Sequence, residues 1–444
     1  MIGGLLKTTS ALAILAAAGL IVGSVTLAPK AARAADLGGD CCADLEERVA
    51  ELEATTARKG NRKMSLTISG RVNANILYWN ENGAPPVNTV ANGAFDHASD
   101  FYFGNSAGTE SNFKLNGSGK ISSDVTAGFY MEVRVDPSVG TAQTQNSHQQ
   151  GPGFSGRQQY VYLSSKSLGE LRLGRLAGAF DDAPYGNFGG GTIGGLGTTP
   201  GGGSFNLRFA NGAYSAQTYG GVLGEIYDNQ ENRIKYISPT LGGFTFKADV
   251  GGDDTAGANL GWAQKFGTVN VEAIAAYKSS KRIDGVIDQA FFPSLDPLTN
   301  VANDNLRSAA ISASIWETNS GLYLSGEYAK GYSAITGRND TTNWFVQGGW
   351  MKNVTGVGVT TIYASYFKAQ DMLTNDTSAN YFNVGVDQEL SSVASNVYLH
   401  YQRDTFDGCT NGPAASCKLS NGALAGGIPS QSLDTVTGGM VVHF

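Results

Sequence analysis

The sequence predicts an all-β fold, a 16-stranded antiparallel transmembrane β-barrel with a long third loop and a short N-terminal helix. Three observations lead there. Glycine supplies 60 of 444 residues and charged residues only 16%, at a mean hydropathy of −0.16. That is the composition of many short strands and loops, not of a helical rod. Beyond the first thirty residues no run of eighteen apolar residues occurs, which excludes a bundle of membrane-spanning helices. From Met64 onward, apolar and polar residues alternate with period two, as on strands with one greasy and one wet face.

In residues 1–34, Lys7 precedes an uncharged stretch, Ala11–Ala28, followed by Pro29, Lys30 and the small-residue site Ala32-Arg33-Ala34. This is the layout of a cleaved signal peptide. A retained anchor helix is the rival, and Gly19, Gly23, Ser24 and Thr26 argue against it. Cleavage removes Lys7, Lys30 and Arg33, leaving 28 of 31 basic residues against 38 acidic ones. Such a chain is not built for nucleic acid.

Export places the four cysteines in an oxidising compartment. Cys409 and Cys417 flank a short segment rich in Gly, Pro, Asn and Ala, and a disulfide between them is expected. Adjacent Cys41 and Cys42 are poorly placed to bond each other. Residues 35–63 form the expected periplasmic N-terminal segment. Within it Leu45, Val49, Leu52 and Thr56 are spaced by four, three and four, which predicts a short helix over 44–59. Two heptads are too few for an independent coiled coil, but a trimeric body would hold such helices together as a stalk.

The expected barrel covers 64–444. In its first strand Leu66, Ile68, Val72, Ile76 and Tyr78 alternate with Ser65, Thr67, Ser69, Arg71, Asn73 and Asn75. The same rule places strands near 64–79, 111–121, 125–136, 157–166, 168–177, 230–238, 242–251, 257–266, 268–278, 306–316, 320–330, 342–351, 357–369, 380–390, 394–403 and 433–444. Short connections such as 122–124, 239–241 and 391–393 alternate with mostly longer ones such as 80–110, 279–305 and 404–432. An open sheet of this size would expose its edges, so it closes. Sixteen strands enclose too much volume for side chains to fill, so the apolar face looks outward into lipid and the polar face lines water.

Several segments together resemble the trimeric porins of alphaproteobacteria. They are Asp40-Cys41-Cys42-Ala43-Asp44-Leu45-Glu46-Glu47-Arg48-Val49, Ser65-Leu66-Thr67-Ile68-Ser69-Gly70-Arg71-Val72, Thr126-Ala127-Gly128-Phe129, Ile234-Lys235-Tyr236-Ile237-Ser238-Pro239-Thr240 and the terminal Phe444. Each is weak alone, and their shared order spans nearly the whole chain. The resemblance implies a passive diffusion channel for small hydrophilic solutes and ions, a homotrimer, and a place in the bacterial outer membrane among its lipid and lipopolysaccharide. It also implies insertion by the barrel assembly machinery, which reads the C-terminal strand ending in Phe444.

The longest connection, 178–229, is the third on the long side, and it carries Asp181, Asp182, Glu225 and Asp228. A structureless loop of that length is functional or disordered; by resemblance it folds into the barrel and narrows it. Strand parity turns Arg71, Lys114, Arg134, Arg233, Lys235 and Lys247 inward, with Lys120 a wall-wetting residue near a short turn. Arg175 shares parity with Leu171 and Leu173, so it joins the pore residues only if a bulge switches the register. Cations facing loop acids would set a transverse field at the narrowest point, and the excess of acids points to weak cation preference.

Catalytic readings are poor. Gly104-Asn105-Ser106-Ala107-Gly108 fits the hydrolase elbow formula without the helix that must follow it, and Gly189–Gly194 fits G-x-G-x-x-G without a βαβ unit. The four histidines lack zinc-ligand spacing, and Asp253-Asp254 offers too few oxygens for calcium, so no metal, cofactor or enzymatic activity is expected. The alternatives are a substrate-selective porin, which would show an aromatic row along the lumen that the sequence does not display, and, further off, a barrel enzyme or an adhesin scaffold.

Overall fold

The computed structural model describes residues 64–82, 99–104, 110–136, 144–145, 153–183, 205–209, 214–223, 230–252, 254–281, 305–333, 339–372, 375–408 and 428–444. The expected signal peptide, the expected 44–59 helix, Ser106, Glu225, Asp228 and all four cysteines lie outside the described residues. Thr67–Phe444 forms one compact unit, and the barrel is that unit.

Its strands are β1 (Ser65–Asn82), β2 (Ser99–Gly104), β3 (Asn112–Lys120), β4 (Val125–Asp136), β5 (Gly153–Ser165) and β6 (Gly169–Leu176). Next come β7 (Asn206–Arg208), β8 (Tyr214–Thr218), β9 (Glu231–Ile237), β10 (Phe244–Gly251), β11 (Ala256–Phe266), β12 (Val269–Lys281) and β13 (Asn305–Glu317). The last are β14 (Leu322–Tyr332), β15 (Thr341–Lys352), β16 (Thr360–Gln370), β17 (Ser378–Leu390), β18 (Ser395–Asp407) and β19 (Gln431–His443). β7 and β8 form a separate hairpin. The other seventeen join one sheet in which β2 and β3 both pair with β1. These two are halves of a single stave, so the wall has sixteen staves, and β1 closes it against β19. The expected strands recur with shifted ends. β2 lies outside the sequence pattern, because six residues carry too little alternation to register.

Closure runs to the last residue. Phe444 and Gly70 exchange backbone hydrogen bonds of 2.8 and 3.1 Å. A Cβ on Gly70 would meet the Phe444 ring and the Asn112 carbonyl, so this seam requires glycine.

Burial follows parity. On β1 the odd residues Asn73, Asn75, Leu77, Trp79 and Glu81 are buried, while Val72 and Ile76 are exposed at 56% and 43%. Around the wall, Val161, Leu173, Leu260, Ile311, Leu324 and Ile362 are likewise exposed. Apolar residues at the surface and polar ones inside reverse the soluble pattern and identify the outer face as the lipid face. Inside, Tyr162, Tyr323, Tyr363 and Tyr398 each stand opposite a glycine, Gly128, Gly349, Gly385 and Gly439. A Cβ there would strike the ring, so each tyrosine packs flat across its neighbour strand and thickens the wall.

Candidate functional site

The chain leaving β6 turns into the barrel. Ala179 and Phe180 are fully buried, and Phe180–Asp182 make one 3-10 turn. Phe180 and Ala183 pack on Ile274, Ala276, Ala310 and Ala329 of the inner wall. Polar contacts fix the same turn: the Ala179 amide donates to Asp249, Asn259 donates to Asp182 at 2.8 Å, and Lys247 Nζ meets Asp182 at 2.7 Å. Lys278 lies 5.2 Å from the Phe180 ring centroid. One end of the loop is therefore bound to β10–β14.

The other end is bound across the lumen. The β7–β8 hairpin leads into a helical turn, Tyr219–Val222, whose start is capped by the Thr218 hydroxyl accepting from the Gly221 amide at 3.0 Å. Phe205, Leu207, Tyr219, Val222 and Leu223 share a buried cluster with Leu77 and Trp79 of β1, Tyr102 of β2, and Phe345, Phe367, Tyr381, Phe406 and Leu433 of β15–β19. Phe205 sits edge-on to Trp79 at 5.1 Å. Arg208 pairs with Glu81 at 2.8 Å, and its backbone amide and carbonyl both bond the Gln431 amide group at 2.9 Å. Gln145 joins by accepting from the Asn206 amide at 2.9 Å. The loop thus reaches from one wall to the other, as an inserted third loop must.

The predicted cations divide into two groups. Arg233 is enclosed by Asp249 and Glu231, and Lys235 donates to the carbonyls of Ala177 and Gly178 at 3.3 and 2.9 Å. With Lys247 they hold the start of the loop. Arg71 and Arg134 instead gather around Glu110: Arg71 donates to its carbonyl at 2.9 Å and Arg134 meets its carboxylate at 2.8 Å. Lys114 stands opposite Glu132 on the same face, and Lys120 is exposed at the short-turn end of β3.

Arg175 is a correction. It is exposed on the outer side, level with Gln159 and Asn232 of the adjoining strands. The bulge that would turn it inward lies elsewhere, at the Glu132/Val133 step between β4 and β5. That bulge brings Arg157 to the lumen face, 3.3 Å from Glu132 and within reach of the Asp181 charge. Sequence reasoning misses Arg157 because strict alternation points it outward. Arg172 is missed although legible: between Leu171 and Leu173 it takes the inner parity, bonding Glu170 at 2.6 Å and lying 5.0 Å from the Tyr160 ring centroid. Tyr160 stacks on Tyr130 at 5.2 Å, so the lumen does carry an aromatic group.

The result is a wall of arginines and lysines on β1, β3–β6, β9 and β10. The facing inner wall of β13–β19 carries Ser312, Ser365, Asn383, Gln402 and Thr435, with Asp387 and Asp404 among them. The loop bearing Asp181 and Asp182 lies between the two. Among the described residues no cluster of His, Cys, Asp and Glu could hold a metal ion.

The family model described as Gram-negative porin matches residues 11–408. The chain belongs to the Gram-negative porin family. This porin is an outer-membrane protein that crosses the bilayer with its strands. Its fold is similar to that of an anion-selective porin from Comamonas acidovorans, at TM-score 0.55 and 18% identity, covering 86% of this chain and 100% of that one. It is also similar to OmpT from Vibrio cholerae, at 0.52 and 11%, covering 87% and 99%, and to OmpF from Salmonella typhi, solved with daunomycin, at 0.50 and 16%, covering 86% and 98%. No curated protein sequence matches.

Proposed function

We propose that this porin is a passive, water-filled channel for small hydrophilic solutes and ions, of the alphaproteobacterial type, working as a homotrimer after cleavage of residues 1–34. The observation that carries the reading is the loop bound at both walls of a closed, polar-lined barrel. A channel needs no bond chemistry: hole size sets the cutoff, and fixed charges orient water and dipolar solutes. Asp182 on the loop is paired with Lys247 of the wall at 2.7 Å, the Asp181 charge reaches Arg157, and Arg71, Lys114, Arg134 and Arg172 extend the basic side. Lipopolysaccharide on the outer face, and the barrel assembly machinery acting on the strand that ends in Phe444, complete the partners. We read the chain as a channel and not as an enzyme, since the polar groups inside are paired for structure or spread along a wall.

A substrate-selective channel is the second reading, favoured by the Tyr130–Tyr160 stack beneath Arg172, a platform for a planar anionic solute. Swelling of liposomes containing the purified protein, in sugars and anions of graded size, tests both. A rate falling smoothly with size supports general diffusion. Saturation with one solute class, abolished by Tyr160→Ala, supports selectivity. Liposomes that do not swell with any solute contradict both.

A further inference from the structure

We infer that the inner wall of β14–β19 holds a binding track for uncharged, polyhydroxylated solutes such as sugars, a reading that rests on the channel proposed above and names a solute class for it. Ser325, Gln347, Ser365, Asn383, Gln402 and Thr435 stand directly opposite one another on six successive strands. All six are buried on the inner side, none more than 3% exposed. At roughly 4.8 Å per strand the row is about 24 Å long, and because barrel strands tilt it climbs the wall obliquely. Every member carries a hydroxyl or an amide, and none a charge. Lysine and arginine are kept off this wall: among the described residues of β13–β19, Arg307, Lys330, Lys352, Lys368 and Arg403 all take the outer parity.

One end of the row is satisfied and the other is open. Asn383 donates to Gln402 at 3.0 Å, and Gln402 to Asp404 at 2.6 Å. On β14–β16, among the described residues, no group bonds Ser325 Oγ, Ser365 Oγ or either end of the Gln347 amide. The next row toward the short turns runs Tyr323, Gly349, Tyr363, Gly385, His400 and Thr437. It extends the open patch with Tyr323 Oη, both His400 ring nitrogens and Thr437 Oγ1. Buried polar groups are paired as a rule, and an open one is costly. Here the open groups sit on two neighbouring rows of one wall.

Their chemistry selects the ligand. An amide presents a donor and an acceptor side by side, which two neighbouring hydroxyls of a polyol match, and each serine can donate to or accept from another. An anion is repelled by Glu327, Asp387 and Asp404, which share this wall, and is drawn to the basic wall opposite. A bare cation takes oxygen ligands only, so it would leave the Gln347 NH2 unpaired. Tyr323 and Tyr363, flat over Gly349 and Gly385, add ring surface beside the polar groups, the mixture found in small-molecule sites. On the long-loop side of the row, Phe345, Phe367 and Tyr381 belong to the cluster that holds the third loop, so a solute passing the loop meets the row next.

The test records single channels of the purified, detergent-folded protein in planar bilayers while raffinose is added, with a polyethylene glycol of matched size for comparison. Raffinose is expected to interrupt the current saturably, and the polymer, which lacks neighbouring hydroxyls, to lower it without saturation. Gln347→Leu is expected to raise the half-saturating raffinose concentration about tenfold, as the loss of an amide's hydrogen bonds requires. Ser365→Ala, the smaller change and the one that serves if the leucine variant does not fold, should raise it about threefold. Arg175→Gln, on the outer face, should leave it where it is. Saturation that neither inner-wall variant shifts overturns this inference. Normal conductance without saturable interruption by raffinose also overturns it and leaves the channel standing. A folded wild-type barrel that passes no current overturns the channel reading itself.

Discussion

Arg208 and Glu81 are 127 residues apart in the chain, yet their side chains meet at 2.8 Å with 3% and 2% of their surface exposed. One sits on the hairpin of the third loop and the other near the long-loop end of β1, so this ion pair latches the loop to the wall. Truncating one partner of such a pair costs about 3–5 kcal/mol, because the other charge stays buried alone. Glu81→Ala is expected to free the hairpin and give noisy single-channel traces with brief closures. Glu81→Leu combined with Arg208→Met is expected to restore quiet openings. Quiet traces from Glu81→Ala would remove the latch from the account.

The lumen cations should set ion preference. Arg157→Gln removes a positive charge from the wall facing Asp181, so the reversal potential in a salt gradient is expected to move toward cation permeability. Asp182→Asn is expected to move it the other way. Arg175→Gln, outside the lumen, should leave it unchanged; a shift from Arg175→Gln as large as that from Arg157→Gln would contradict the assigned facing.

Most of the barrel is legible in the sequence because a lipid-facing strand has a strict two-residue period, and sixteen such segments leave little freedom but to close. The lumen is legible only where that period holds. Arg157 escapes because a bulge, which one sequence does not mark, reverses its side. The roles of Arg233 and Lys235 as loop anchors escape because parity gives a direction and not a partner. Glu81 and Arg208 escape for a different reason: their pairing depends on how a loop folds back over a distance that no local pattern records.

The short-turn side offers a pH test. Asp124, in the turn between β3 and β4, accepts from the hydroxyls of Ser165 and Ser167 at 2.7 and 3.1 Å and from the Lys166 amide at 3.1 Å. These bonds, led by Ser165, hold its carboxyl below the ordinary 3.8. A depressed folded value means that the clamp's full contribution is present above the ordinary value and is lost as pH falls through the folded one. Carbon-detected NMR titration of Asp124 should give a midpoint below 3.8, and Ser165→Ala should raise it. A midpoint unmoved by Ser165→Ala would contradict the clamp.

The tyrosine-on-glycine packing makes a stability prediction. Gly385 lies beneath Tyr363, and a Cβ there meets the phenol and the His400 side chain. Gly385→Ala is expected to cost about 1–3 kcal/mol through overpacking, read as a lower urea midpoint for the folded barrel. An unchanged midpoint would mean that the ring moves aside without loss.

The central claim is that water crosses this barrel past a loop whose acids face a basic wall. Single-channel recording of the purified, detergent-folded protein in planar bilayers tests it most directly, comparing wild type with Asp181→Asn plus Asp182→Asn. The account predicts stepwise ohmic openings, with both unit conductance and reversal potential changed in the double variant. A folded barrel that passes no current would contradict the channel, and openings identical in the two proteins would contradict the loop's place at the narrowest point.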